Sequence, residues 1–226
     1  MQASVLNLDV HPENFEQVKR GFSQFGINCI RQIGSIDKHP AIGCTKSHLD
    51  LVRFARENNE PYVMVFEDDC MPCNSMGYWP DVWNYLSANR RRWDLFYGGA
   101  TMVHPVRWEC GYQHPENNII ECRHALSVHF VIYNDSSFKK ALKWFDLPES
   151  EERRPVIDTW LTSIGLRIWT VAPMLAIQRP SFSNNQGRMV DYTDHFERAE
   201  AKLNEFVKMR KKAIVYKIFK KYLKRL

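Results

Sequence analysis

Three consecutive carboxylates, Glu67-Asp68-Asp69, follow directly on the apolar run Tyr62-Val63-Met64-Val65-Phe66. Such a run predicts a strand covered on both faces. Carboxylates at its exit repel one another and lose hydration, so they call for a compensating charge. At the carboxyl end of an α/β strand they face the crevice where ligands bind. An oxygen-only donor set suits Mg²⁺ or Mn²⁺, which complete their shells with water and phosphate oxygens. The chemistry on offer is a cation that clamps a diphosphate and stabilises it as a leaving group. A water-exposed acidic turn is the alternative. No Gly-rich phosphate loop competes, because neither G-x-x-x-x-G-K-[ST] nor G-x-G-x-x-G occurs. Cys70-x-x-Cys73 could be a redox pair or half a zinc site. No second pair matches it, since Cys110 and Cys122 lie twelve apart, so packing thiols are expected.

The elements that must position these residues can be read from periodicity. Strands are predicted at Val5–Leu8, 28–33, Tyr62–Phe66, 93–97, 127–133 and 167–171. Helices are predicted at Pro12–Phe25, Thr45–Asn58, 79–89, 136–144 and 156–164, with residues 36–42 as loop. Residues 178–195 read as an irregular polar loop, and helix resumes near Phe196. Strands alternating with helices predict a three-layer α/β domain over residues 1–195 with a mixed, mostly parallel sheet. Residues 196–226 are expected to form a separate basic C-terminal helix.

The charge divides along the same line. The 226-residue chain carries 31 Lys/Arg and 26 Asp/Glu, a formal +5. Residues 207–226 hold nine Lys/Arg and no acid, which leaves 22 basic against 26 acidic residues in the rest. A body at −4 argues against a nucleic-acid-binding face, leaving only a tail-driven binder of that class. In the tail, Ile214, Val215, Ile218, Phe219, Tyr222, Leu223 and Leu226 form a helical apolar stripe opposite Lys and Arg. That pattern suits an anionic membrane surface, a protein contact, or packing back onto the domain. The first nine residues lack a basic segment and a signal-length apolar stretch, so a cytoplasmic chain is expected, peripheral on the membrane if the tail binds there. Six cysteines in such a compartment are expected to be thiols.

Four segments, in order, resemble glycosyltransferase family 25, which contains lipooligosaccharide galactosyltransferases and procollagen galactosyltransferase domains. They are Val5-Leu6-Asn7-Leu8-Asp9, Ile42-Gly43-Cys44-Thr45-Lys46-Ser47-His48, Val63 through Asp69, and Trp93 through Gly99. Looser likeness continues through Val128–Ile132, Val156–Leu161 and Pro173 with Gln178 and Ser181, so the resemblance spans roughly residues 4–185. Pro12-Glu13-Asn14 stands where the family usually has Arg, and Ser136-Ser137 near its usual Gly-Ala pair.

The resemblance implies a GT-A fold and metal-dependent, inverting transfer of a sugar, often galactose, from a UDP-sugar to a glycan or glycolipid hydroxyl. It makes Glu67 and Asp69 metal ligands and places Asp68, Asn7, Leu8, Cys44, Ser47, His48, Gly98 and Gly99 around the donor. Asp158 is the candidate base. His129, Trp160, Gln178 and Ser181 are candidates for the acceptor side. Each has a plainer reading: Asp158 as a helix cap, Ser47 and His48 as a first helical turn, the glycines as a turn, His129 and Trp160 as core. A member of the fold that binds nucleotide-sugar or glycan without catalysis is the competing expectation.

Overall fold

A computed structural model describes residues 1–9, 11–109, 111–112, 114, 116–148, 154–183 and 187–223, with side chains to residue 217. Within these, the chain forms strands β1 (Gln2–Asn7), β2 (Asn28–Ile33), β3 (Tyr62–Glu67), β4 (Cys70–Pro72), β5 (Leu95–Tyr97) and β6 (Met102–Trp108). The series continues with β7 (Asn118–Leu126), β8 (Phe130–Asn134), β9 (Ile168–Ala172), β10 (Ala176–Gln178), β11 (Ser181–Ser183) and β12 (Arg188–Val190). The helices are α1 (Pro12–Ser23), α2 (Pro40–Glu57), α3 (Trp79–Ala88), α4 (Asp135–Ala141), α5 (Ile157–Ser163) and α6 (Thr193–Leu223).

One eight-stranded sheet runs β2-β1-β3-β8-β5-β9-β7-β6. β1 pairs in parallel with β2 and β3, and β5 with β9. β8 lies antiparallel between β3 and β5, and β7 antiparallel between β9 and β6. Six of these eight strands therefore point one way, as a mostly parallel sheet requires. Because side chains alternate across a strand, each face builds its own core. Val65, Val131, Tyr133, Leu95 and Tyr97 pack with residues of α2, α4, α5 and α6. Met64, Phe66, Phe130, Ile132 and Phe96 pack with α1 and α3. Phe66 sits edge-on to Phe130 at 4.6 Å, which ties β3 to β8 at the end of the sheet that carries the acidic motif.

Several boundaries differ from expectation, for local reasons. Helix α2 begins at Pro40, not Thr45, because proline needs no N–H partner at the first helical position. The first strand ends at Asn7, so Leu8 lies just beyond it. β8 begins at Phe130, which puts His129 in the preceding turn. Residues 102–108 and 118–126, unassigned from periodicity, form the antiparallel pair β6–β7, whose register shifts around Pro105. The segment expected to be loop starts at the last residue of β10, which pairs with β4, and carries the antiparallel strands β11 and β12.

Helix α6 is continuous over 31 residues. Phe196, Ala199, Leu203 and Val207 recur at helical spacing and are buried in the same core as β6 and β7. Lys202 Nζ donates to Val103 O at 2.8 Å, and Arg210 to Val106 O at 3.2 Å. Beyond these contacts Val215 and Tyr216 are exposed. Among the described residues, no helix is long and apolar enough to cross a membrane. The two stretches of α6 should therefore respond differently to truncation. Leu203→Ala is expected to cost about 2–5 kcal/mol in urea unfolding, the range for an emptied leucine site. Val215→Ala should fall within about 0.5 kcal/mol of the parent.

Candidate active site

The reversed strand β8 brings its entry turn to the carboxyl ends of β3 and β5. Glu67 N–H donates to His129 O at 2.9 Å, and Gly98 N–H to Phe130 O at 3.0 Å. The acidic motif thus leaves the sheet against the Ser127–His129 turn, and β10 closes it from the other side. Gln178 on β10 joins the parts. Its Nε2 lies 3.4 Å from Glu67 Oε2 and 3.1 Å from Asp69 Oδ2, and its Oε1 accepts from Ser127 Oγ at 2.8 Å. Ser181 Oγ donates to Asp69 Oδ2 at 3.2 Å. Ser127 N–H donates to Asp158 Oδ1 at 2.8 Å. Glu67, Asp69, Gln178, Ser181, Ser127 and Asp158 therefore form one connected network.

Ser127 adopts φ 92°, a conformation uncommon for a residue with a side chain. Both its backbone N–H and its hydroxyl are engaged, so its neighbours hold it there. Asp158 lies in the first turn of α5 but is not its cap, since Val156 holds that position. Its carboxylate reaches out of the helix to the β7–β8 turn. The start of α5 is fixed separately, by Ile157 N–H donating to Thr45 Oγ1 at 2.9 Å.

The three carboxylates of the motif are compensated unequally. Asp68 turns away from the other two, accepting from Asn7 at 2.7 Å and Asn14 at 3.3 Å. Burial pushes its carboxyl up, while those two amides hold it down. Glu67 accepts from Cys44 Sγ at 3.3 Å and lies 3.5 Å from His48 Nε2. Burial raises its carboxyl, but His48 leads the opposing influences and the net shift is downward. Among the described residues, Asp69 receives only neutral donors. Burial, then the charges of Glu67 and Asp68, push it up to about 7. Burial likewise pushes Asp158 up to about 7. Burial and Glu67 keep the Cys44 thiol far above its ordinary range. This corner carries more negative charge than its own donors neutralise. Two carboxylates facing one amide, with charge in excess, fit a hard divalent cation held by Glu67 and Asp69.

Other expected residues fall in different settings. Asn7 is buried and joins Asp68, Arg31 and His11 O. Leu8 is half-buried and its carbonyl accepts from Arg31. Ser47 and His48 lie two turns inside α2, which corrects their placing at a helix N-terminus. Ser47 Oγ donates to Gly43 O and accepts from Ser35 N–H, so it pins the preceding loop. His129 is fully buried, bonded to Ser127 and Ala176, and burial pushes it down to about 4, so it is neutral. Trp160 donates its indole N–H to Ala141 O at 2.8 Å, which directs it to α4. Gly98 and Gly99 are buried, and a side-chain carbon there would strike the Phe130 ring and Ala176 O respectively. Packing against β8 and β10 explains both.

Arg31, Arg179 and Ser127 belong to the site and were not singled out from sequence. Arg179 donates to Asp68 O at 2.8 Å, and its N–H to Asp69 O. Its place next to Gln178 was the available signal.

No family model and no curated protein matches the chain. Among solved structures it is similar to a glycosyltransferase involved in glycosylation of the major capsid of PBCV-1. The TM-score is 0.50 at 10% identity, over 88% of this chain and 98% of that one. Weaker likenesses are A197 from STIV (TM-score 0.47, 10% identity, 84% and 92% covered) and apo UDP-glucose pyrophosphorylase (TM-score 0.40, 8% identity, 93% and 81% covered). The chain thus has a GT-A-like α/β fold, the fold class expected from its sequence. Gly99→Ala should lower stability by about 1–3 kcal/mol or prevent folding, since the added methyl collides with the β10 backbone. Urea unfolding of the variant measures the loss.

Proposed function

We propose that this protein is a glycosyltransferase that moves a sugar, galactose by the family-25 resemblance, from a UDP-sugar to a hydroxyl of a glycan or glycolipid. The observation that carries the reading is the network from Glu67 and Asp69 through Gln178 and Ser127 to Asp158. It places under-compensated carboxylates and a separately held carboxylate at one end of a GT-A-like sheet. Glu67 and Asp69 would hold Mn²⁺ or Mg²⁺, which when bound stabilises the departing diphosphate. Gln178 and Ser181 orient Asp69. Asn7 and Asn14 hold Asp68 apart, on the side toward the ends of β1 and β2. Asp158, raised to about 7, suits the removal of a proton from an acceptor hydroxyl near neutral pH, and Ser127 N–H fixes its direction.

UDP release over a panel of UDP-sugars, with Mn²⁺ and with chelator, tests the reading. Turnover with at least one donor is expected, abolished by chelator. Donor binding without UDP release under any acceptor would identify a binding protein instead. Asp69→Asn should reduce turnover at least about a hundredfold. The same variant should melt higher than the parent at pH 8 without metal. The sign follows from the raised carboxyl: in the folded state it is ionised at a cost above about pH 7, and the cost disappears as pH falls toward its unfolded value near 4. The melting gap should therefore close on acidification.

The basic end of α6 is proposed to lie against an anionic membrane surface, where a glycolipid acceptor would be presented. Charge complementarity and the exposed Met209, Val215 and Tyr216 support this. Because Val207, Arg210 and Lys211 contact the body, a fair truncation ends at Ala213. Residues 1–213 should stay folded and sediment less with vesicles containing phosphatidylserine than the full chain. Equal sedimentation would refute the membrane role.

A further inference from the structure

Behind the acidic network lies a second cluster of ligating groups with softer chemistry. Cys44 and His48 are four residues apart on α2, so they share a helix face. Both look at Glu67, the last residue of β3. Cys44 Sγ lies 3.3 Å from Glu67 Oε1, and His48 Nε2 lies 3.5 Å from the same oxygen. The ligand atoms of the three residues all fall within 4.8 Å of one another. Bond lengths of about 2.0–2.3 Å around a tetrahedral Zn²⁺ set ligand-to-ligand edges of roughly 3.3–3.6 Å. The two oxygen-based edges already match that.

His48 supplies an independent observation. The residue is fully buried, yet among the described residues its Nε2 makes no well-formed hydrogen bond; its near contact is Glu67 Oε1 at 3.5 Å, so it is aimed into the cluster. Its other nitrogen, Nδ1, is 3.0 Å from Tyr133 Oη, a fully buried hydroxyl on β8. A ring held at one nitrogen by an oxygen and left open at the other is the arrangement of a metal-ligating histidine. Cys44 and Glu67 are only half-buried, so the cluster is not sealed from solvent on every side.

We infer that Cys44, His48 and Glu67 form a binding site for Zn²⁺ or a similarly soft divalent ion. Glu67 divides its two oxygens between sites: Oε1 faces Cys44 and His48, and Oε2 faces Gln178. An ion on the inner side would lock α2 to the end of β3 and fix the direction in which Glu67 presents its outer oxygen. The inference stands on these ligand positions and does not rest on the proposed transferase activity.

Co²⁺ titration of the full-length, reduced, metal-free chain tests it. One equivalent should produce a near-ultraviolet thiolate-to-cobalt charge-transfer band with tetrahedral visible bands, and Zn²⁺ should displace it. Cys44→Ser should remove the charge-transfer band, while Cys73→Ser and Asp69→Asn should keep it. A folded parent chain that gives no such band overturns the inference, leaving His48 as a packed imidazole beside a carboxylate. A band that survives Cys44→Ser belongs to another thiol and overturns it equally. Because the first of these results is read on the parent chain, failure of a variant to fold does not shield the inference.

Discussion

A buried strand that ends in three carboxylates sets the terms for the rest of this molecule. β3 lies in the interior of the sheet with Met64, Val65 and Phe66 fully enclosed, and the chain passes from that apolar setting into Glu67-Asp68-Asp69 within one residue. Neighbouring elements can be sorted by how they answer that charge. α1 and the end of β1 send Asn14 and Asn7 to Asp68. α2 sends Cys44 and His48 to Glu67. β10 and β11 send Gln178 and Ser181 to Asp69. The answers weaken in that sense for Asp69, which among the described residues meets only neutral donors and two neighbouring negative charges. A buried carboxylate meets such a deficit by holding a proton or by pairing with a cation.

The direction of β8 is what turns a charged strand end into a site. Were the connection from β7 to β8 elsewhere, the end of β3 would meet only its parallel neighbour β1. Since β8 runs opposite to β3 and β5, its entry turn lies at their exits, and Ser127 and His129 arrive beside Glu67. The price is backbone strain at Ser127, held at positive φ by Asp158 from α5 and by the hydroxyl's bonds to His129 and Gln178. Three separate stretches of sequence meet at that residue: its own turn, α5 and β10. A group oriented by several packed elements keeps its geometry better than one carried on a single loop.

What was legible in the sequence was whatever short-range pattern encodes. The apolar run of β3, its acidic end, the amphipathic face of α1 and the glycines after β5 all announce themselves within a few residues. Long-range partners do not. Gln178 and Glu67 are 111 residues apart, and no local pattern says that one amide will face two carboxylates. Ser127 resembles any strand-flanking serine until its torsion is seen. The β6–β7 pair escaped because Pro105 and its register shifts break the alternation that marks a strand. Pro40 read as a loop signal, although proline is equally at home on the first turn of a helix, and that choice displaced Ser47 and His48 to a terminus they do not occupy.

The same distinction governs the C-terminal charge. In composition, residues 207–226 are uniformly basic, but α6 spends that charge in two ways. Arg210 reaches Val106 O, and Lys211 lies over the Trp108 ring at 5.4 Å, so part of the positive charge helps dock the helix along β6. Lys208, Lys212 and Lys217 lie on exposed positions, beside Val215 and Tyr216. A helix anchored by Leu203 and Val207 and bonded through Arg210 cannot swing freely. Its exposed end is therefore held in a fixed relation to the sheet, and with it to the acidic end of β3. If that end rests on a surface, the surface also fixes which way the acidic corner faces.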